Sequence, residues 1–457
     1  MLDKIRNQFQ GIYNRFLRNP LIQRVIRNSS YLFSAQVISA VLSMGQGILT
    51  ARLLGVAGAG LVGIITQFSS SINRLVSFRM GELVVSYVGE FHEKQKPDHE
   101  AAVFKAAVLV EVAASILAFA LIVLLAELGA QIFAHDEDLA YLFMLYGISI
   151  LANFMSESSI GLLQIFDHFR PIAAITIGQS VLTIILITAA FLQEGGLEEV
   201  VVAYLAGKVV WGIAIAISAL WVAVKEWGFT WWRAPLSLLA SRRDDLLRFA
   251  VSTNLSGTLK LVTRDSEMLW LAAFSSPLQV GYYKIARAIT NIVMMPVTPL
   301  ISTSYRELAR EIASKQWENV RYLLRSGTIL ASSWTIPATL ALIVFGPWIV
   351  ALYGTEFLPE SYTTLLILLI GVFPNNVFFW NQLVLLPLGL PEFPTKVQFV
   401  AAIIYILGVV YLVPRWGAYG MAAISSFTVV IIVCVLVLKS LKELRKAELK
   451  SLLITGE

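Results

Sequence analysis

Lys260, Arg264, Asp265, Glu267, Lys284 and Arg287 lie inside two neighbouring apolar segments, TNLSGTLKLVTRDSEMLWLAAF and VGYYKIARAITNIVMMPVT, joined through a short SSP turn. Each segment is long enough to cross a bilayer, and a charge at that depth costs several kcal/mol unless it meets water or a partner. Thr253, Gly257, Lys260, Arg264 and Glu267 recur every three or four residues, as do Lys284, Arg287, Asn291, Met294 and Thr298. Such spacing gathers each set on one helical face. The two helices therefore present a mostly cationic stripe to an interior, which suits passage of an anion. Such cations act as charge-assisted donors to a phosphate.

A second pair of polar stripes runs near the other end of the chain. Gln36, Ser39, Ser43, Gln46 and Thr50 share one helical face, and Gln67, Ser70, Arg74, Ser77 and Gly81 share another. Gln36, Gln46, Gln67 and Asn291 supply amides suited to hydroxyl groups, and Arg74 has no acid one helical turn away. Four carboxylates at membrane depth, Asp265, Glu157, Glu111 and Glu82, are candidates for exchanging protons with a gradient. Burial raises a carboxyl pKa and a nearby cation lowers it. Each could equally be a structural partner of Arg79, Lys208 or Arg264.

The elements that hold these residues follow from composition. The chain is 57% hydrophobic and 14% charged over 457 residues, far from the about 25% charged residues of soluble domains. Apolar stretches near 30–53, 58–90, 102–131, 139–166, 171–192, 198–225, 246–274, 279–305, 324–352, 361–387, 396–413 and 416–438 predict about twelve transmembrane helices. The expected fold is all-α and polytopic. Lys94, Lys96, Arg170, Arg233, Arg242, Arg310 and Lys315 mark alternate loops, whereas HDED (135–138) and TEFLPES (355–361) mark the others. Basic loops favour the cytoplasm, so both termini are expected there.

An internal repeat is visible at an offset of about 220 residues. AGLVGI (59–64) matches VGYYKI (280–285), Ser86-Tyr87 matches Ser304-Tyr305, and AYLAG (203–207) matches AYGMA (418–422). The expected plan is a basic amphipathic segment (1–28), a six-helix lobe (29–226), a cytoplasmic linker (227–245), a second six-helix lobe (246–440) and a basic tail (441–457). GAGLVG at 58–63 has no preceding strand and is not read as nucleotide binding. No G-x-x-x-x-G-K-[ST] is present, and the lone Cys434 supports neither disulfide nor thiol-metal chemistry. No metal, cofactor or nucleic acid is expected, and no catalytic residue is assigned.

The two six-span lobes, LLGVAGAGLVGI, and RDSEMLWLAAFSSPLQVGYYKIARAI resemble the O-antigen (Wzx-type) polysaccharide flippases of the multidrug/oligosaccharidyl-lipid/polysaccharide (MOP) exporter superfamily. The resemblance implies a MATE-like fold and a non-enzymatic flippase of the bacterial inner membrane. It implies an undecaprenyl-pyrophosphate-linked oligosaccharide as substrate, alternating access, and coupling to an ion gradient. Membrane lipids, a polysaccharide polymerase and chain-length machinery are the implied partners. The alternatives are a MATE-like drug/cation antiporter, which wants an acidic cavity, and a peptidoglycan-precursor flippase, whose branch has two extra C-terminal spans. A membrane glycan polymerase needs a larger external loop than this chain offers.

Overall fold

The structure is a computed structural model that describes residues 20–242, 244–246, 261, 265–390 and 392–455. Most of the expected amphipathic segment 1–28, together with Lys260 and Arg264, lies outside the described residues. Among those described, every regular element is helical: α1 (Pro20–Val76), α2 (Met80–Glu93), α3 (Pro97–Gly129), α4 (Ala140–Ala152), α5 (Ser156–Ile165), α6 (Phe169–Leu192) and α7 (Leu197–Trp227). These are followed by α8 (Glu267–Phe274), α9 (Pro277–Met294), α10 (Thr298–Ala313), α11 (Trp317–Ala351), α12 (Glu360–Val377) and α13 (Glu392–Thr455). Among the described residues, seven helical stretches are long and apolar enough to cross a membrane by length and composition. With 57 and 64 residues, α1 and α13 far exceed one crossing. Each is two helices run together across a kink, at Gly55 (φ 66°) and Gly417 (φ 51°), where a side chain would strain the backbone. The protein is an all-α polytopic membrane protein.

Contacts divide the chain into two units. The first holds residues up to Gln46, Ile72–Leu124 and Met144–Gly257. Its core packs Leu83, Val84, Phe104, Leu162, Ile215 and Val222, with Trp227 and Trp231 against Phe104. The linker folds into short 3-10 turns whose Leu239 is buried in that core, and Lys105 Nζ donates to the Ala234 carbonyl at 3.1 Å. Trp227 Nε1 donates to Glu100 Oε2 at 3.0 Å. The linker's tryptophans are thus divided: Trp227 and Trp231 pack inward, while Trp232 is exposed.

The second unit holds Gly47–Ser71, Leu125–Phe143 and the chain from Thr258 onward. Segments 47–71 and 125–143, which the sequence groups with the first lobe, pack here with α8–α13. A glycine seam explains part of that packing. A Cβ at Gly60 would lie 1.9 Å from the Pro277 carbonyl oxygen, and one at Gly281 would lie 2.1 Å from that of Val56. No side chain fits at either point, so backbone meets backbone, as small residues permit between membrane helices. Gly60 and Gly281 are equivalent positions of AGLVGI and VGYYKI. These two motifs therefore pack against each other within the second unit.

Candidate functional site

Residues 267–287 assemble a polar cluster in the second unit. Ser276 caps α9, its hydroxyl accepting from the Gln279 amide, and Pro277 sits in the first turn, where its missing N–H costs nothing. This tight turn returns α9 beside α8, so Glu267 and Arg287 meet although they are far apart along the chain. Arg287 Nε lies 3.4 Å from Glu267 Oε2, and the Tyr283 hydroxyl donates to the same oxygen at 2.7 Å. Glu267 and Arg287 line a cavity of about 210 Å³, together with Asn381, Gln398, Tyr405 and Thr428. Asn381 Oδ1 and Thr428 Oγ1 are buried without a protein partner among the described residues, so the cavity offers acceptors to a polar occupant.

Lys284, one turn before Arg287, is held differently. Its ammonium donates to the Ala59 carbonyl at 2.9 Å, and its methylenes pass over Gly63. No carboxylate among the described residues pairs with it. Gln67 donates to the Asp265 carbonyl and to Ser71 Oγ, the latter at 3.3 Å, so its amide ties α1 to the segment before α8. Asp265 itself is half-buried and within electrostatic reach of Arg287. Asn291 is exposed.

The remaining described candidates fall in the first unit. Gln46 is buried and donates to the Ser180 carbonyl at 2.9 Å, whereas Gln36 is exposed. Arg74 is exposed near the end of α1. Glu111 accepts from the amides of Glu157 (2.8 Å) and Ser158 (3.0 Å) and from the Ser158 hydroxyl (2.7 Å). It thereby neutralises the free donors at the start of α5, where the helix dipole also favours an anion. Glu157 accepts from Ser77 Oγ at 3.0 Å, and Glu82 pairs with Arg79 at 2.8 Å. Both acids line a separate open recess with Ser86 and Gln164. Replacing Glu111 with alanine orphans the two buried amides. A loss of about 2 kcal/mol is expected, read as a lower melting temperature of the purified protein. Glutamine, which retains one acceptor, should lose less.

Helical spacing places Glu267 on the stripe without marking it as an acid with a role. Its signal is the combination of the SSP turn and the spacing of Glu267, Tyr283 and Arg287. Tyr405 and Asn381, far along the chain, carry no comparable signal.

The family model for polysaccharide biosynthesis proteins matches residues 25–305, and the MatE model matches residues 266–412. A search of curated proteins gives no match. Among solved structures, an inward-facing multidrug resistance MATE family transporter aligns with TM-score 0.72 at 13% identity, covering 90% of this chain and 95% of that one. The lipid II flippase MurJ, in an inward closed conformation, aligns with TM-score 0.65 at 18% identity, covering 92% and 91%. A MOP superfamily transporter from Pyrococcus furiosus, described by the reverse polarity of its binding pocket, gives 0.66 at 13% identity over 95% and 98%. These likenesses concern the fold, while the match over 25–305 covers more than half of the sequence. The chain belongs to the polysaccharide biosynthesis protein family.

Proposed function

We propose that the protein flips an undecaprenyl-pyrophosphate-linked oligosaccharide from the cytoplasmic to the periplasmic leaflet of a bacterial inner membrane, by alternating access coupled to an ion gradient. The observation that carries this reading is α9, where Lys284 and Arg287 share a helical face within an all-α membrane protein. Among the described residues, Lys284 has only a backbone carbonyl as partner. A pyrophosphate leaving water needs replacement donors, and Lys and Arg supply the strongest. Arg74, Lys260 and Arg264 extend the set. Gln36 and Asn291, both exposed, serve sugar hydroxyls, while Gln46 and Gln67 hold helices together. Glu267 joins Asp265, Glu157 and Glu82 as a coupling candidate. A polysaccharide polymerase and chain-length proteins are natural partners.

A drug/cation antiporter is the second reading, favoured by the match to the MatE model. A cationic substrate wants an unpaired acid, and Glu267 is already engaged by Arg287 and Tyr283. Proteoliposomes separate the two. A fluorescent polyprenyl-pyrophosphate sugar should cross saturably and ethidium should not; the reverse result rejects the flippase reading. Arg74→Ala should abolish the flipping, and lysine there should restore part of it, because charge survives without the bidentate fork. Orientation is tested in intact cells lacking Cys434. Cysteines at His135 and Gly195 should react with an impermeant thiol reagent, and one at Lys315 should not. Labelling of Lys315 reverses the assigned topology and the direction of transport.

A further inference from the structure

Lys208 belongs to none of the groups above. It lies in the first half of α7, about 16 Å along the helix, which is close to the middle of a hydrocarbon core of about 30 Å. One side of α7 carries exposed apolar residues, Val202, Val210, Ile213, Ile217 and Leu220, as a lipid-facing helix does. Lys208 points the other way. Its neighbours on that face, Val201, Ile215 and Ala219, are wholly buried, yet Lys208 itself is exposed to solvent. A polar side chain on the face opposite the lipid-facing residues is directed toward the protein side of the helix. A lysine there faces water rather than acyl chains.

Among the described residues, no acid is paired with this lysine. Its ammonium stands 5.9 Å from the centre of the Trp211 ring, and the indole N–H of Trp211 is engaged by Thr176 Oγ1 at 3.4 Å, which fixes the ring. The Asn153 side chain lies against the same turn: its Nδ2 donates to the Ser149 carbonyl at 2.5 Å and reaches the Lys208 carbonyl at 3.5 Å. Asn153 Oδ1 is buried without a protein partner among the described residues. The exposed polar face of α1, Gln36 and Ser43, belongs to the same unit, and Ser39 Oγ reaches the Thr176 carbonyl at 3.5 Å.

We propose that Lys208, positioned by Trp211 and Asn153, is a phosphate-ester contact of the first unit. The proposal rests on the flippase reading, and it names a subsite that the cationic stripe of α8 and α9 does not contain. A mid-membrane ammonium that is open to water, with no acid paired to it among the described residues, is free to donate to a visiting phosphate. The aromatic wall gives Lys208 a fixed direction without neutralising it, so the charge stays available.

The test uses full-length protein in nanodiscs of phosphatidylcholine, with farnesyl pyrophosphate, farnesol and inorganic pyrophosphate as probes. Wild type should bind farnesyl pyrophosphate far more tightly than farnesol. Lys208→Met should weaken farnesyl pyrophosphate about tenfold or more, leave farnesol unchanged, and keep the wild-type melting curve. Lys208→Arg should stay within about threefold of wild type, and Lys208→Gln repeats the comparison should methionine not be tolerated. Equal binding by wild type and the neutral variants overturns the Lys208 assignment alone. Failure of wild type to prefer farnesyl pyrophosphate over farnesol overturns both the subsite and the lipid-pyrophosphate reading. Competition by phosphatidylglycerol nanodiscs that vanishes in Lys208→Met supports the subsite with a bilayer phospholipid as a second source of the phosphate. Binding of inorganic pyrophosphate alone, insensitive to Lys208, counts against it.

Discussion

Arg287→Met stops transport and lowers the melting temperature sharply, because it leaves the buried Glu267 carboxylate without its cation. Breaking a buried pair from one side costs about 3–5 kcal/mol, most of it the uncompensated charge. Glu267→Gln behaves differently. The glutamine carbonyl still accepts from Tyr283, so the fold survives, and Arg287 is released to an anionic substrate. Binding should tighten while the response to a pH gradient disappears, since the group that would exchange the proton is gone. The double variant, Glu267→Gln with Arg287→Met, should regain most of the lost stability and none of the transport. The measurements are melting curves of purified protein and flipping rates in proteoliposomes with and without an imposed gradient. Should Arg287→Met move substrate at the wild-type rate, the pair is only scaffolding and the α9 stripe carries no substrate.

Alanine at Gly60 or Gly281 should destabilise the protein by about 1–3 kcal/mol, the usual cost of forcing extra atoms into a packed interior. A new methyl carbon at Gly60 would start 1.9 Å from the Pro277 carbonyl oxygen, and the equivalent contact at Gly281 starts at 2.1 Å from Val56. Neither neighbour is a flexible side chain, so relief requires the helices to move apart. Parting them for one methyl also makes room for the other. The two costs should therefore be markedly less than additive, as expected for substitutions sharing one contact. The same separation pulls the Ala59 carbonyl from Lys284, so transport should change as well. Gly89→Ala and Gly178→Ala are the controls, because nothing lies within 4 Å of a Cβ at either position. Their melting temperatures should stay level or rise slightly. Full additivity of the seam variants, or no effect of either, means the seam is looser than these distances indicate.

Much of this arrangement is legible in the amino-acid sequence itself. The three- and four-residue steps put Lys284 and Arg287 on one face of α9, and Ser276-Pro277 announces the turn that brings Glu267 back to them. The repeat of AGLVGI and VGYYKI is equally plain. What spacing cannot convey is which group answers a polar side chain across the fold. Gln46 and Gln67 lie on polar stripes, yet both are occupied by backbone carbonyls rather than open to a cavity. Glu111 is recognisable as a buried acid, but its three donors come from the start of α5, far along the chain. The grouping of segments 47–71 and 125–143 with α8–α13 is also hidden. It depends on close backbone approach at small residues, and a glycine in sequence does not say what will press against it. Lys208 stands out in the sequence only as an acid partner; its inward direction follows from the burial of Val201, Ile215 and Ala219 on the same face.

The glycine seam has the form of an isologous contact, the kind a two-fold axis carries onto itself. Gly60 meets the residue four before Gly281, and Gly281 meets the residue four before Gly60. Two separate copies of a half-length chain could make the same contact, but every change in one copy would then appear twice. Placing both copies on one polypeptide removes that constraint. Gly63 and Lys284 are equivalent positions, and the lysine's Cδ lies 3.0 Å from where a Cβ on Gly63 would stand. Two lysines there would bring like charges and excess volume to one place, and two glycines would leave no charge at all. The single chain holds one of each, so a contact that began self-matching has room to become polar on one side only.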